Sequence, residues 1–112
     1  MDKADPARAE ALRLATATAI AVPQEIAGLA VTVLAKAAEL VDKRNPRLLS
    51  DVGVAAALAE SAVRAAHYNI RVNLSSLSSR QEEADLRAEL AERSRRARDL
   101  LDRIEAKLAE KF

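Results

Sequence analysis

The sequence predicts an all-α protein, an antiparallel bundle of four to five helices completed by self-association. Three observations carry this prediction. Alanine, the best helix former, supplies 26 of the 112 residues. Tyr68 and Phe112 are the only aromatic residues, so the core must come from Ala, Leu, Val and Ile, which suits closely approaching helices better than a thick β-sandwich. Apolar residues also recur at three- and four-residue steps, the period of a helix face. A chain of this length supports one core, hence a single helical domain over 1–112.

Asp5 followed by Pro6 opens the first helix, because the Asp side chain can accept from free N–H groups and Pro is tolerated at the first helical position. This helix is expected to run to about Ala21, and Pro23, which lacks a donor and crowds the preceding turn, marks a kink or a new start. Ile26, Leu29, Ala30, Val33, Leu34, Ala37, Leu40 and Val41 then fall on the period of one face, and the second helix should end near Lys43. Asn45-Pro46 breaks the chain. Ser50 is expected to cap a third helix containing Val54, Leu58, Val63 and Ile70 among alanines. Gly53, like Gly28 before it, reads as a place where another backbone comes close. The alternation Ile70 to Leu74 reads as the frayed end of this helix rather than a strand.

Ser75 to Ser79 is a short loop, and Ser79 with Glu82 forms a capping box for the last helix, about 79–111. There Leu86, Leu90, Ala97, Leu100, Ile104 and Leu108 recur about every 3.5 residues, with Arg93 breaking one seam position. Glu89–Arg93, Glu92–Arg96 and Asp99–Arg103 are the expected i, i+4 pairs.

Charge excludes several classes. The net charge is +1, from 18 basic and 17 acidic residues, so no global field draws the chain to nucleic acid or anionic lipid. The Arg93–Arg98 cluster is neutralised by Glu89, Glu92, Asp99 and Asp102 and reads as a solvated helix face, so no nucleic-acid partner is expected. Absence of cysteine excludes disulfides and thiolate metal sites. With His67 the only histidine, no histidine-based metal site is expected; the ring should sit on a helix face with a hydrogen-bonded partner, and Tyr68 beside it at a packing edge. The longest uncharged runs are alanine-rich, near or below the ~20 residues of a bilayer crossing, and bounded by Glu25, Lys36, Glu60 and Arg64, so no membrane partner is expected. Without an apolar N-terminal segment the expected location is cytoplasmic.

Helices two and three are apolar around most of their circumference, and such helices must be enclosed. One short chain cannot enclose both, so a homodimer or higher homo-oligomer is expected, with these helices meeting their copies or cross-packing.

The segment Asn45 to Leu74, NPRLLSDVGVAAALAESAVRAAHYNIRVNL, places polar groups at both ends of a nearly uncharged helix. It resembles the C-terminal half of the formiminotransferase-cyclodeaminase and methenyltetrahydrofolate cyclohydrolase family, where a pattern close to N-P-x-x-x-S-D-V-G-V-A-A is followed by N-[VI]-R-[IV]-N-L. The resemblance extends back through Ala9 to Pro23, on A-L-R-L-A-T-A-T-A-I-A-V-P, and fades after Leu77, so it covers about 9–77. The family's upstream half, with a P-x-P-G-G-G-S-type loop, has no counterpart here; the chain therefore reads as a fragment, one half of a split enzyme, or a reduced relative. Arg44 stands where the pattern usually has Gly.

The resemblance implies folate one-carbon chemistry: ammonia elimination from formiminotetrahydrofolate or hydrolysis of methenyltetrahydrofolate, with a tetrahydrofolate derivative as substrate and no cofactor or metal. It assigns Asp51 as the catalytic carboxylate and Asn45, Ser50, Asn69, Arg71 and Asn73 as substrate-binding residues. Lys43, Arg44 and Arg47 add a basic patch suited to a glutamate tail. Taken as residues alone, Asp51 equally fits the acidic first turn of a helix, and Asn69 and Asn73 equally fit C-terminal capping. The alternative function is a non-catalytic helical assembly module that keeps only the packing half, or a split enzyme working with a separate N-terminal half.

Overall fold

A computed structural model of the protein describes residue 2 and residues 4–43 and 45–112. Three α-helices, α1 (Pro6–Leu40), α2 (Pro46–Arg71) and α3 (Arg80–Lys111), are joined by a short turn and by a 3-10 turn over Leu74–Ser76. No strand occurs among the described residues.

The helix count falls below the predicted four to five because Pro23 does not break the chain. It is buried inside one continuous helix, α1. An interior proline forfeits one backbone bond and crowds the turn before it, yet the buried positions Ile20, Pro23, Ala27, Ala30, Leu34 and Ala37 run through it at unbroken four- and three-residue steps. Packing of that stripe is the physical reason the helix continues. Asp5 caps it as expected, its carboxylate accepting from the Ala7 N–H at 2.9 Å.

The start of α2 also differs from expectation. Asn45, not Ser50, is the N-cap, accepting from the Arg47 N–H at 3.1 Å with Pro46 in the first turn. Once proline fixes the first turn, the helix begins immediately behind it; Ser50 and Asp51 lie inside α2, exposed. Arg44, which stands where the resembling pattern usually has Gly, lies outside the described residues. Ser79 caps α3 by accepting from the Glu82 N–H at 3.2 Å.

The core is one long seam. Ala30, Leu34 and Ala37 of α1, with Val41 just past its end, meet Leu49, Val52, Ala56, Ala59 and Val63 of α2, with Ala97, Leu100 and Ile104 of α3 laid across them. A second cluster, Ile20, Ile70, Leu74 and Leu90, closes the other end. Lys107 reaches Asp42 at 3.9 Å, and the Leu108 side chain stands 3.0 Å from where a Gly53 Cβ would be. Gly53 therefore admits a side chain of α3, not a backbone, whereas Gly28 has open space around it. Along α3, Glu89–Arg93 forms, but Glu92 pairs with Arg95 instead of Arg96, and Asp99 and Arg103 do not pair.

The residues expected on one face of the second helix divide between two. Ala30, Leu34, Ala37 and Val41 are buried, while Ile26, Leu29, Val33 and Leu40 are exposed on a parallel stripe. The same holds in α2, where Val63 and Ile70 are buried and Val54 and Leu58 are exposed. The molecule is a rod of 63 × 22 × 16 Å with a radius of gyration of 18.3 Å, against about 13 Å for a compact chain of this length. By length and composition α1 is also apolar enough to cross a membrane.

Candidate functional site

Asp51, in the second turn of α2, stands at the edge of a shallow groove between α1 and α2. Val33, Lys36, Ala37 and Leu40 form one wall; Leu48, Val52 and Ala55 complete the other. The groove holds about 250 Å³. Its exposed lining is almost wholly apolar, so Asp51 and Lys36 edge the groove with their carbon stems rather than with their charged groups, and the floor suits a flat, apolar ring system.

The remaining expected site residues divide between the two ends of α2. Asn45 lies with Asp51 at the beginning, where its side chain is engaged in capping. Ser50 sits next to Asp51 on the exposed surface. Asn69, Arg71 and Asn73 cluster at the far end: the Asn73 amide donates to the Asn69 carbonyl at 3.2 Å, and the Arg71 guanidinium lies 5.8 Å from the centre of the Tyr68 ring. Eighteen residues separate Asp51 from Asn69, which is about five turns, so the two lie on one line of the helix surface about 27 Å apart. One copy of the chain does not bring the two groups together.

A polar layer that the sequence showed only in part lies between α2 and α3. His67 is wholly buried. Its Nδ1 is 2.9 Å from Ser94 Oγ and its Nε2 is 3.3 Å from an Arg93 nitrogen. Arginine can only donate, so Nε2 must accept and Nδ1 carries the proton given to Ser94. Burial, then the nearby Arg93 and Arg71 charges, push the His67 pKa down to about 4. Arg93 also reaches Glu89 at 3.4 Å. Glu60, buried one face further along α2, pairs with Arg64. The interruption at Arg93 was the visible signal for this layer; Ser94 and Glu60 gave none. Both ring nitrogens are occupied and the ring is closed from solvent, so this layer fixes how α3 sits on α2. Among the described residues no cluster of His, Cys, Asp and Glu suits a metal ion.

Residues 1–92 match the family model for the C-terminal part of formiminotransferase-cyclodeaminase. The chain belongs to the formiminotransferase-cyclodeaminase family. The match runs beyond the expected 9–77 at both ends and takes in the first turns of α3. No curated protein and no solved structure matches the chain. Membership in the formiminotransferase-cyclodeaminase family points to folate metabolism.

Proposed function

We propose that this formiminotransferase-cyclodeaminase family chain acts on a one-carbon derivative of tetrahydrofolate, eliminating ammonia from formiminotetrahydrofolate or hydrolysing methenyltetrahydrofolate. The observation that carries this reading is the placement of Asp51, on the S-D-V-G-V-A-A stretch, at the edge of an apolar groove. Both reactions pass through a positively charged amidinium-like carbon. A carboxylate beside that carbon stabilises its charge and moves a proton between folate nitrogen and the departing ammonia or attacking water. Asn45, Ser50, Asn69 and Asn73 bind the pterin or water, and Arg71, with Lys43, Arg44 and Arg47, binds the glutamate tail. No cofactor or metal takes part.

The working unit is a homo-oligomer, most simply a homodimer, in which the antiparallel helices of this chain join those of a copy in one bundle; the location is cytoplasmic, without membrane or nucleic-acid partners. The apolar length of α1 serves packing against another helix. One observation favours a second reading: the 27 Å gap, of about five turns, between Asp51 and the Asn69 cluster fits a packing module, or one half of a split enzyme, as well as it fits a site completed by a copy. Following methenyltetrahydrofolate absorbance with the pure chain and with Asp51→Asn separates them. The enzyme reading expects turnover that falls at least a hundredfold in the variant; equal background rates reject it.

A further inference from the structure

We propose that the cleft between the C-terminal end of α1 and the last turns of α3 binds a small aliphatic α-amino acid, its carboxylate held by Arg103 and Lys107 and its ammonium group by Asp42. The cleft shares no lining residue with the Asp51 groove, and the inference stands apart from the folate reading.

Size and lining limit the occupant. The cleft holds about 200 Å³, below the roughly 300–1,000 Å³ of sites for drug-sized ligands, so it suits a molecule of few heavy atoms. Val41 and Ile104, both buried, form its floor, and the small side chains of Ala38 and Ala106 keep it open. Such a floor suits a short aliphatic chain, whose apolar surface it takes out of water.

Charge decides what the ends of that molecule carry. Asp42, Glu110, Arg103 and Lys107 complete the lining, two anions and two cations. A lining that is neutral in sum favours a ligand that is neutral in sum yet carries both signs. These four groups are not spent on one another. Among the described residues Arg103 and Glu110 have no ion-pair partner, and Lys107 meets Asp42 only at 3.9 Å, whereas Glu10 holds Arg13 at 2.6 Å and Glu83 holds Arg87 at 2.9 Å. The larger cleft beside the start of α1 differs on this point, since its one cation is the engaged Arg13.

Arg103 and Lys107 lie one turn apart on α3, so both can close on a single carboxylate, the guanidinium offering two parallel donors. The ammonium group falls to Asp42, just past the end of α1. A helix end of this kind carries partial negative charge. No basic residue occupies the last turn of α1, while α2 ends with Arg71 and α3 with Lys111. A ligand ammonium group there supplies the cation that α1 lacks, and Glu110, one turn beyond Lys107, adds to the same preference.

Calorimetric titration of the full chain with valine and leucine tests the site. Saturable binding of at least one is expected. For the one that binds, the matching acid without its amine and the matching amine without its carboxylate should each bind at least tenfold more weakly. Arg103→Gln removes the carboxylate partner, and Ala106→Leu fills the cleft without changing charge; both positions are exposed, and circular dichroism checks that both variants stay helical. Each should weaken binding at least tenfold, while Arg80→Gln, which removes a cation at the far end of α3, should leave it unchanged. No saturable heat from either amino acid overturns the proposal. So does equal binding of the acid without its amine, or full binding by both Arg103→Gln and Ala106→Leu.

Discussion

The Arg93 guanidinium stands 3.3 Å from Nε2 of His67, with the ring wholly buried between α2 and α3. A buried ring facing a permanent cation is held neutral, and its pKa falls from 6.5 to about 4. The unfolded chain therefore binds a proton that the folded chain refuses across that interval. Stability from this group is fully present above about pH 6.5 and is lost as pH falls towards 4, by on the order of 3 kcal/mol in all. Thermal denaturation followed by circular dichroism should show a steep fall in Tm over that window. In His67→Gln, whose amide can still accept from Arg93, the slope should flatten; an unchanged slope would assign the acid sensitivity to other groups.

The two glycines separate in what they contact. Nothing lies within 4 Å of a Cβ built on Gly28, whereas one on Gly53 meets Leu108 Cδ1 at 3.0 Å. Glycine inside a helix is about 0.5–1 kcal/mol less favourable than alanine. Gly28→Ala should recover that amount and raise Tm by a few degrees. Gly53→Ala should gain less or lose slightly, because Leu108 has to turn aside. Equal gains in a paired melt would show that α3 does not press on Gly53.

The helical class, the caps Asp5 and Ser79 and the inner seam of α3 were legible because each has a local cause: composition, a capping side chain, or a simple period. The continuity of α1 through Pro23 was not, since a proline's local penalty is visible in sequence while the packing that offsets it is tertiary. The split of Ile26–Val41 into two stripes was hidden for a related reason. Leu29 and Leu34 look alike as letters, yet Leu29 is exposed at 62% and Leu34 not at all; only the placement of α2 decides which faces inward. Asp51 and its segment were legible as a motif, but the distance to Asn69 follows from α2 being unbroken from Pro46 to Arg71.

Two leucines test the division between inner and outer stripes. Leu34 is fully buried, and Leu34→Ala should cost about 2–5 kcal/mol of folding stability through lost burial and a residual cavity. Leu58 is mostly exposed in the single chain, so Leu58→Glu leaves the intrachain core untouched. Its expected effect is on association: helical content is kept while light scattering shows a shift towards monomer and Tm becomes lower at high protein concentration than in the wild type. A Leu58→Glu chain with unchanged mass would place the contact between copies elsewhere.

Asn45 and Asp51 lie within two turns of each other, yet their substitutions should read out differently. The Asn45 side chain caps α2 through the Arg47 N–H, so Asn45→Ala should lower stability by about 1 kcal/mol, and any fall in folate turnover would then mix folding with binding. Asn45→Asp keeps an accepting oxygen at the cap and adds a negative charge favoured at a helix start; it should restore stability. If Asn45 also binds substrate through its amide N–H₂, Asn45→Asp should restore the melt without restoring turnover. Asp51 is exposed and makes no capping bond, so Asp51→Asn should leave the melt within about 0.5 kcal/mol of the wild type while removing the charge on which the proposed reaction depends. A large stability loss in Asp51→Asn, with turnover falling only in proportion, would make that carboxylate a structural group.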